Sequence, residues 1–222
     1  MKIKLWQFAR TAALVIIATL AIQSCVTSRV DMAFENQIDI SEESGVVLLT
    51  RRDNVKTETE VPFVDCVKKR LTSGSNPIAL KEEQVFLDSL FPWFEPRVAP
   101  LTVEALPDLL GKPGVADKVT DAGVRYVMWL GGSVETKDGG GSITCDTTVG
   151  CFGFTWWENG AIYEASIWDL ENLESTGVVS ADVTGRSYIP AIVVPIPLIA
   201  RTKTAACSEM AEQIKGQFND AT

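Results

Sequence analysis

Acidic side chains are the groups in this sequence best suited to acid–base chemistry. The chain contains no histidine, which excludes Ser-His and Cys-His nucleophiles and the common imidazole metal sites. Four carboxylates lie near one another along the chain, and two of them could flank a glycosidic bond at the ~5–9 Å that hydrolysis requires: Glu158, Glu164, Asp169 and Glu171. In an acid-rich chain, clustered carboxylates also form solvated faces. A carbohydrate-active hydrolase is therefore the alternative to a non-catalytic role.

Two other motifs are incomplete. The glycine run Gly139–Ser142 lacks the Lys-Ser/Thr pair of a phosphate-binding loop and no helix is predicted after it, which favours a flexible hairpin tip. No serine is followed three residues later by lysine, and the sequence has no G-x-S-x-G element. The sequence therefore predicts neither a cofactor nor a metal site.

The cysteine content predicts an oxidising compartment. Apart from Cys25, four cysteines remain, and they allow three disulfide pairings. Cys145 and Cys151 flank a turn-forming stretch, which favours a bridge closing a hairpin. Cys66 would then pair with Cys207, since both lie on the apolar faces of predicted helices. Loop entropy assigns about 5 kcal/mol to the long bridge and about 2 kcal/mol to the short one. A four-thiolate zinc site is the alternative, but its spacing lacks C-x-x-C pairs.

The N-terminus has the pattern of a secretory signal peptide. Three basic residues and no acidic one precede an apolar run over residues 11–22: Lys2, Lys4 and Arg10. As a helix this run rises only ~18 Å, well short of the ~30 Å core of a bilayer. The pattern therefore favours a cleaved signal over a transmembrane helix.

The residues after the apolar run resemble the bacterial lipobox. Ile22 stands at minus three and Ser24 at minus one, and Cys25 would be acylated after cleavage. Gln23 departs from the family pattern, which has a small residue there. In that pattern an Asp after the cysteine favours inner-membrane retention, so Val26 predicts the outer membrane, facing the periplasm. The alternative is an ordinary signal peptide with an incidental cysteine.

Charge and length define the mature chain. Removing residues 1–24 takes away three of 20 basic side chains and none of 29 acidic ones, which leaves a net charge of −12. Such a surface repels nucleic acid and anionic lipid, so attachment to the membrane would come from the N-terminal lipid. We expect a signal peptide over 1–24, a lipidated N-terminus and tether over 25–44, and a single periplasmic domain over 45–222.

Apolar periodicity predicts the first elements of this domain. Gly45–Thr50 is typical of a buried strand. Residues 61–71 have Pro62 in the first turn and an apolar helical face. A short strand over 78–80 and a helix over 82–91 follow, then an irregular proline-rich connection over 91–101. Further helices are expected around Val103–Leu110 and Val115–Ala122.

The second half of the sequence is typical of β structure. Val124–Leu130 suits a central strand. Hairpins are predicted around Lys137–Gly141 and around Glu158–Gly160, which gives a four-strand meander. The prolines of residues 190–200 favour an extended edge or crossing segment, and Ala205–Phe218 favours a C-terminal helix. The predicted fold class is α/β, with a single mixed sheet, helices mostly on one face, a C-terminal β-meander and a C-terminal helix.

A family resemblance covers about Gly45–Phe218 in element order. The stretches DAGVRYVMWLGGSV and IWDLENLESTGVVSADVTG, followed by a last helix, resemble the periplasmic α/β domain of the TolB N-terminal region and of the curli-secretion lipoprotein CsgG. Asp169, Thr176 and Gly177 match a D…TG element that has a structural role in that pattern. The resemblance implies a protein-binding or assembly module at the outer membrane.

Aromatic residues supply the candidate binding surface. Phe152, Phe154 and Trp156 share one strand face and are expected in the core. Trp157, with Tyr163 or Trp168 on the neighbouring strand, could form an outward platform for a sugar ring or a protein; the alternative is that helices or the tether cover it. Trp93, between prolines, is either a loop anchor or an exposed binding residue.

Together these patterns predict a lipid-anchored outer-membrane protein that binds or assembles with another component of the cell envelope. Its expected partners are the membrane, through the N-terminal lipid, and an envelope protein or glycan, with no nucleic acid and no cofactor. A hydrolase of peptidoglycan or another glycan, using paired carboxylates, is the alternative.

Overall fold

The structure, a computed structural model, describes residues 26–34, 38, 45–50, 61–95 and 98–219. The predicted signal peptide and Cys25 lie outside the described residues. Those residues form six strands: β1 Val26–Phe34, β2 Gly45–Thr50, β3 Leu80–Lys81, β4 Val124–Asp146, β5 Gly150–Asp169 and β6 Glu174–Pro195. Their α-helices are α1 Val61–Leu71, α2 Glu83–Ser89, α3 Leu106–Leu110, α4 Val115–Asp121 and α5 Thr202–Asn219, and a 3-10 turn spans Val103–Ala105.

The strands form one mixed sheet in the order β1-β6-β5-β4-β2-β3. Strand β2 is parallel to both of its neighbours, with Val47 opposite Val127 and Leu49 opposite Trp129 of β4. An apolar run suits this position because a parallel strand is covered on both faces, and residues 45–49 are all buried. Strands β4, β5 and β6 follow one another as a meander. The predicted fold class is confirmed.

Helices of the described part cover both faces of the sheet. Three of the five, α2, α3 and α4, pack with Val47, Leu49 and Trp129 in one apolar cluster. Helices α1 and α5 pack on the opposite face, where the Phe63 ring stacks on Tyr163 at 3.4 Å and Phe218 meets the edge of Tyr126 at 6.0 Å. The alternation of side chains along β2 and β5 supplies both cores.

Both predicted disulfides are present. Cys66 of α1 is bonded to Cys207 of α5, with the two Cα atoms 6.2 Å apart, and Cys145 is bonded to Cys151 across the β4–β5 turn. The long bridge ties together two helices that are 141 residues apart in sequence. The pairing inferred from the hairpin and helix patterns is confirmed.

The two predicted hairpins are wrong. Strands β4 and β5 run straight through both positions, and the turn between them is at 147–149. Glycine at 141 serves strand packing instead: its φ is +97°, and a Cβ atom there would collide with the Phe154 carbonyl oxygen. Gly160 is likewise buried under the Lys137 side chain. Three long strands therefore replace the expected four-strand meander.

The first part of the predicted tether contains strand β1. It lies at the sheet edge beside β6, where a Cβ atom on Gly177 would collide with the Phe34 ring. Its residues are half-buried or exposed, which explains why the sequence shows no clear apolar period. An edge strand with one mostly solvated face gives little hydrophobic signal.

The chain divides into two compact units, and the three long strands contribute to both. Among the described residues, unit 1 comprises 26–27, 136–160 and 184–202. Unit 2 comprises the remaining described residues and contains the two apolar cores, α1 to α4 and nearly all of α5.

Candidate functional site

Unit 1 exposes aromatic side chains that were expected in the core. Phe152 and Phe154 on β5 are 48% and 47% exposed. The Phe154 ring lies 5.9 Å from the half-buried ring of Tyr188 on β6. The expectation of burial was wrong because alternation on a strand buries one face only where a second layer packs on it. We call Phe152, Phe154, Trp156, Arg186 and Tyr188 the aromatic patch.

An arginine completes this patch. The Arg186 guanidinium lies 5.6 Å from the centre of the Trp156 ring, in a cation–π contact. Its Nε donates a hydrogen bond to the Glu158 carboxylate at 2.8 Å, and this hydrogen bond raises the pKa of Arg186. The guanidinium is thus held by the Glu158 carboxylate and the half-buried Trp156 ring.

A second apolar surface follows along β6. Residues 192–199 are all exposed and include six large aliphatic side chains, here called the aliphatic segment: Ile192, Val193, Val194, Ile196, Leu198 and Ile199. The sequence from Ser187 to Ala200 contains no charged residue. Contiguous exposed apolar surface of this kind marks an interaction site. The sequence predicted an extended edge or crossing segment here. It did not predict that the apolar side chains of this segment form an exposed surface.

Backbone hydrogen bonds fold this segment back onto β6. Tyr188 and Leu198 exchange two N–H to O bonds of 2.8 Å, and Ile196 donates to the Pro190 carbonyl at 2.9 Å. Val193 has a φ of +75°, a conformation that β-branched residues rarely adopt. The exposure of the segment is therefore fixed by its backbone.

The candidate catalytic carboxylates contact arginines and backbone groups. Asp169 is 3% exposed and accepts hydrogen bonds from Arg125 and from the amides of Glu171 and Asn172. Glu171 lies 3.2 Å from the Nε atom of Arg125. These contacts neutralise the carboxylates, whereas a glycosidase places two of them on either side of the bond to be cleaved.

The other two candidate carboxylates, Glu158 and Glu164, lie in different surroundings. Glu158 belongs to unit 1 and accepts a hydrogen bond from Arg186. The exposed Glu164 accepts one of 3.4 Å from the Ser166 hydroxyl. No group of three potential metal ligands occurs among the residues that the structure describes. The contacts of Asp169 are structural, since they join the end of β5 to Arg125 of β4 and to the backbone of the following turn.

The predicted aromatic platform does not form. Tyr163 is 0% and Trp168 is 3% exposed, and both rings pack within unit 2, so neither can meet a partner. Trp157 in unit 1 is half-buried against Gly139. Trp93 is half-buried against the α2–α4 cluster, with the Lys112 ammonium 4.0 Å from its ring, and is a loop anchor.

Unit 2 also contains an open cleft of about 580 Å³ between α2 and α4. Its lining combines two lysines and two acids with apolar side chains: Lys81, Glu82, Val85, Phe86, Ser89, Lys118, Asp121, Ala122 and Val124. None of the four candidate carboxylates lines it. No helix in the described part of the chain is long and apolar enough to cross a membrane.

Comparisons with known proteins give distant structural likenesses. No family model matches the sequence, and no curated protein matches it. Two structures of the PelC dodecamer from Paraburkholderia phytofirmans match at a TM-score of 0.39 and 11% identity, covering 86% of this chain and 98% and 97% of theirs. The hypothetical protein CT253 from Chlamydia trachomatis matches at 0.30 and 10% identity, covering 79% of this chain and 93% of its own. At these scores no function transfers to this chain.

Proposed function

We propose that the protein is a lipid-anchored module of the outer membrane, facing the periplasm, that binds another envelope protein through the aromatic patch and is not an enzyme. The observation that carries this proposal is the exposure of Phe152 and Phe154 on β5, with the Tyr188 ring 5.9 Å from Phe154 and Arg186 over the Trp156 ring. Aromatic and arginine side chains dominate the energetics of protein interfaces. The lipobox-like residues 22–25 and two disulfides agree with an envelope location.

The patch is preorganised for such a partner. Arg186 is already aligned by Glu158 and Trp156, and the phenylalanines sit on a strand rather than on a loop. Binding would then immobilise few additional rotors, which lowers its entropic cost. The hydrolase alternative has weaker support, because Asp169 and Glu158 are each bonded to an arginine.

Site-specific photo-crosslinking in intact cells tests this proposal. A photoreactive phenylalanine analogue at Phe154 should give one discrete adduct with an envelope protein. The same analogue at Val85, which is 68% exposed in unit 2, is the matched control and should give none. Arg186→Glu should remove the adduct, since it reverses the charge beside the rings. Equal adducts at both positions, or an adduct that survives Arg186→Glu, would contradict the proposal.

A further inference from the structure

The aliphatic segment is the largest feature of unit 1 that the proposed function does not use. Its six side chains are between 38% and 81% exposed, and Ile192 is the most exposed. Scattered exposed apolar residues are ordinary, but six within eight positions of an uncharged stretch are not. The segment therefore needs an apolar partner.

The start of the described chain and the residue after this segment both lie beside Gly185. A Cβ atom on Gly185 would lie 2.8 Å from the Ala200 methyl group and 3.4 Å from a methyl group of Val26. Val26 and Ala200 thus both border the same backbone position. Ala200 follows Ile199 directly, and Val26 follows Cys25 directly. The described chain therefore begins, one residue after the predicted acylation site in sequence, at the same backbone position that the residue after the segment reaches.

Charge around the segment suits a lipid headgroup region. The 14 residues from Ser187 to Ala200 carry no acid, although the predicted mature chain is strongly acidic. Arg201, two residues after Ile199, is exposed. An exposed arginine beside apolar side chains can bond lipid phosphates while those side chains enter the acyl boundary. Within these 14 residues no carboxylate would repel an anionic headgroup.

We propose that the aliphatic segment inserts into the interface of the bilayer that holds the acyl chains of Cys25, as a second point of attachment. The inference rests on the proposed lipid anchor. An acylated Cys25 brings the segment to the headgroups, so its insertion is effectively intramolecular and loses little further translational entropy. A bilayer is favoured over a second copy of the chain because Val26, the residue after the proposed anchor in sequence, borders Gly185 together with Ala200.

Quenching by brominated lipid tests the proposal on the full chain. Cells produce and process the wild type, Ile192→Trp and Leu101→Trp, and each is reconstituted into vesicles of phosphatidylethanolamine and phosphatidylglycerol with or without brominated acyl chains. Leu101 is 73% exposed in unit 2 and is the matched control. The tryptophan fluorescence of Ile192→Trp in excess of the wild type should fall roughly twofold with brominated lipid, since insertion places the new ring at the acyl boundary. The emission added by Leu101→Trp should not change.

The possible outcomes distinguish failure of the proposed insertion from failure of the proposed lipid anchor. Protein that floats with vesicles while Ile192→Trp is quenched no more than Leu101→Trp overturns the inference and leaves the anchor intact. Protein that does not float overturns both. Self-association that shifts the Ile192→Trp emission to the blue without lipid assigns the segment to a second copy and also overturns the inference. Ile196→Trp repeats the test at a second exposed site.

Discussion

Arg125 and Asp169 are joined by two hydrogen bonds to one carboxylate oxygen. The Nε and Nη2 atoms of Arg125 lie 3.1 and 3.0 Å from Oδ2 of Asp169. The other oxygen of Asp169 accepts from the Glu171 amide at 2.8 Å. The pair thus connects the start of β4 to the turn after β5. Asp169, a candidate catalytic residue in the sequence, therefore holds the meander in place.

Replacing this carboxylate should destabilise the fold. Asp169→Asn leaves the guanidinium with the exposed Glu171 as its remaining acidic partner, and we expect a loss of about 2–4 kcal/mol in the free energy of unfolding. Glu171→Gln is the control, with an expected loss below about 1 kcal/mol because that pair is solvent-exposed. Urea denaturation measures both, and equal losses would contradict the structural role.

The two disulfides should differ in their contribution to stability. Replacing both Cys66 and Cys207 by alanine opens a 141-residue loop, and we expect a loss of about 5 kcal/mol. Replacing Cys145 and Cys151 opens a six-residue loop and should cost about 2 kcal/mol. Thermal and urea unfolding of the two double variants test this order. A larger loss from the short bridge would contradict it.

Neighbouring glycines on β4 distinguish a continuous strand from a hairpin tip. Gly141→Ala should destabilise by more than about 2 kcal/mol, since its positive φ and the Phe154 carbonyl leave no room for a Cβ atom. Gly140→Ala should cost less than about 1 kcal/mol, because its new methyl group would meet only ordinary contacts, the nearest at 3.4 Å. Equal losses of unfolding free energy for the two variants, measured by urea denaturation, would favour a flexible hairpin tip.

Asp146 in the β4–β5 turn should titrate below its ordinary range. Hydrogen bonds from the Thr148 hydroxyl and amide lower the pKa of Asp146 from 3.8. Because the folded pKa is the lower one, this stabilisation is complete above pH 3.8 and is lost as pH falls through the folded pKa. NMR titration should show the pKa rising toward 3.8 in Thr148→Val and unchanged in Thr147→Val. No rise in Thr148→Val would contradict the turn geometry.

Lipidation at Cys25 has a direct chemical test. Mass spectrometry of the wild-type N-terminal peptide should show acyl chains on Cys25 and no residue before it. Cys25→Ser should leave the chain uncleaved or move most of it into the soluble periplasmic fraction. Adding Ile192→Glu and Ile196→Glu should release the remainder, since charged side chains partition poorly into the bilayer interface. A processed wild-type chain that is retained in the membrane without acyl chains would contradict the anchor.

Much of unit 2 could be predicted from sequence because its elements bury regular apolar patterns. Gly45–Thr50 is apolar throughout and is covered on both faces. The buried side chains of α1 recur at helical spacing, at Phe63, Val67 and Leu71. Cysteine pairing followed from where these elements placed the thiols.

Apart from the Cys145–Cys151 bridge, the strands and surfaces of unit 1 were predicted poorly, because the same residue types act differently there. Gly141 permits close strand contact, although glycine runs usually indicate turns. Phe152 and Phe154 alternate like core residues, yet they are exposed. The uncharged run before Arg201 is the sequence feature that could have indicated an exposed apolar surface. Apolar residues are more often buried, however, so the run alone indicates a core segment.

Hydroxyl-radical footprinting of the intact protein tests most directly whether unit 1 is the binding end. Side-chain labelling is compared between intact envelopes and purified protein in detergent-free buffer after removal of the anchor. Phe152, Phe154 and Ile192 should be labelled several-fold less in envelopes, because a partner or lipid excludes water from them. Val61 and Leu101, 69% and 73% exposed in unit 2, should be labelled equally in both. Unchanged labelling of the unit 1 residues, with protection confined to unit 2, would contradict the account.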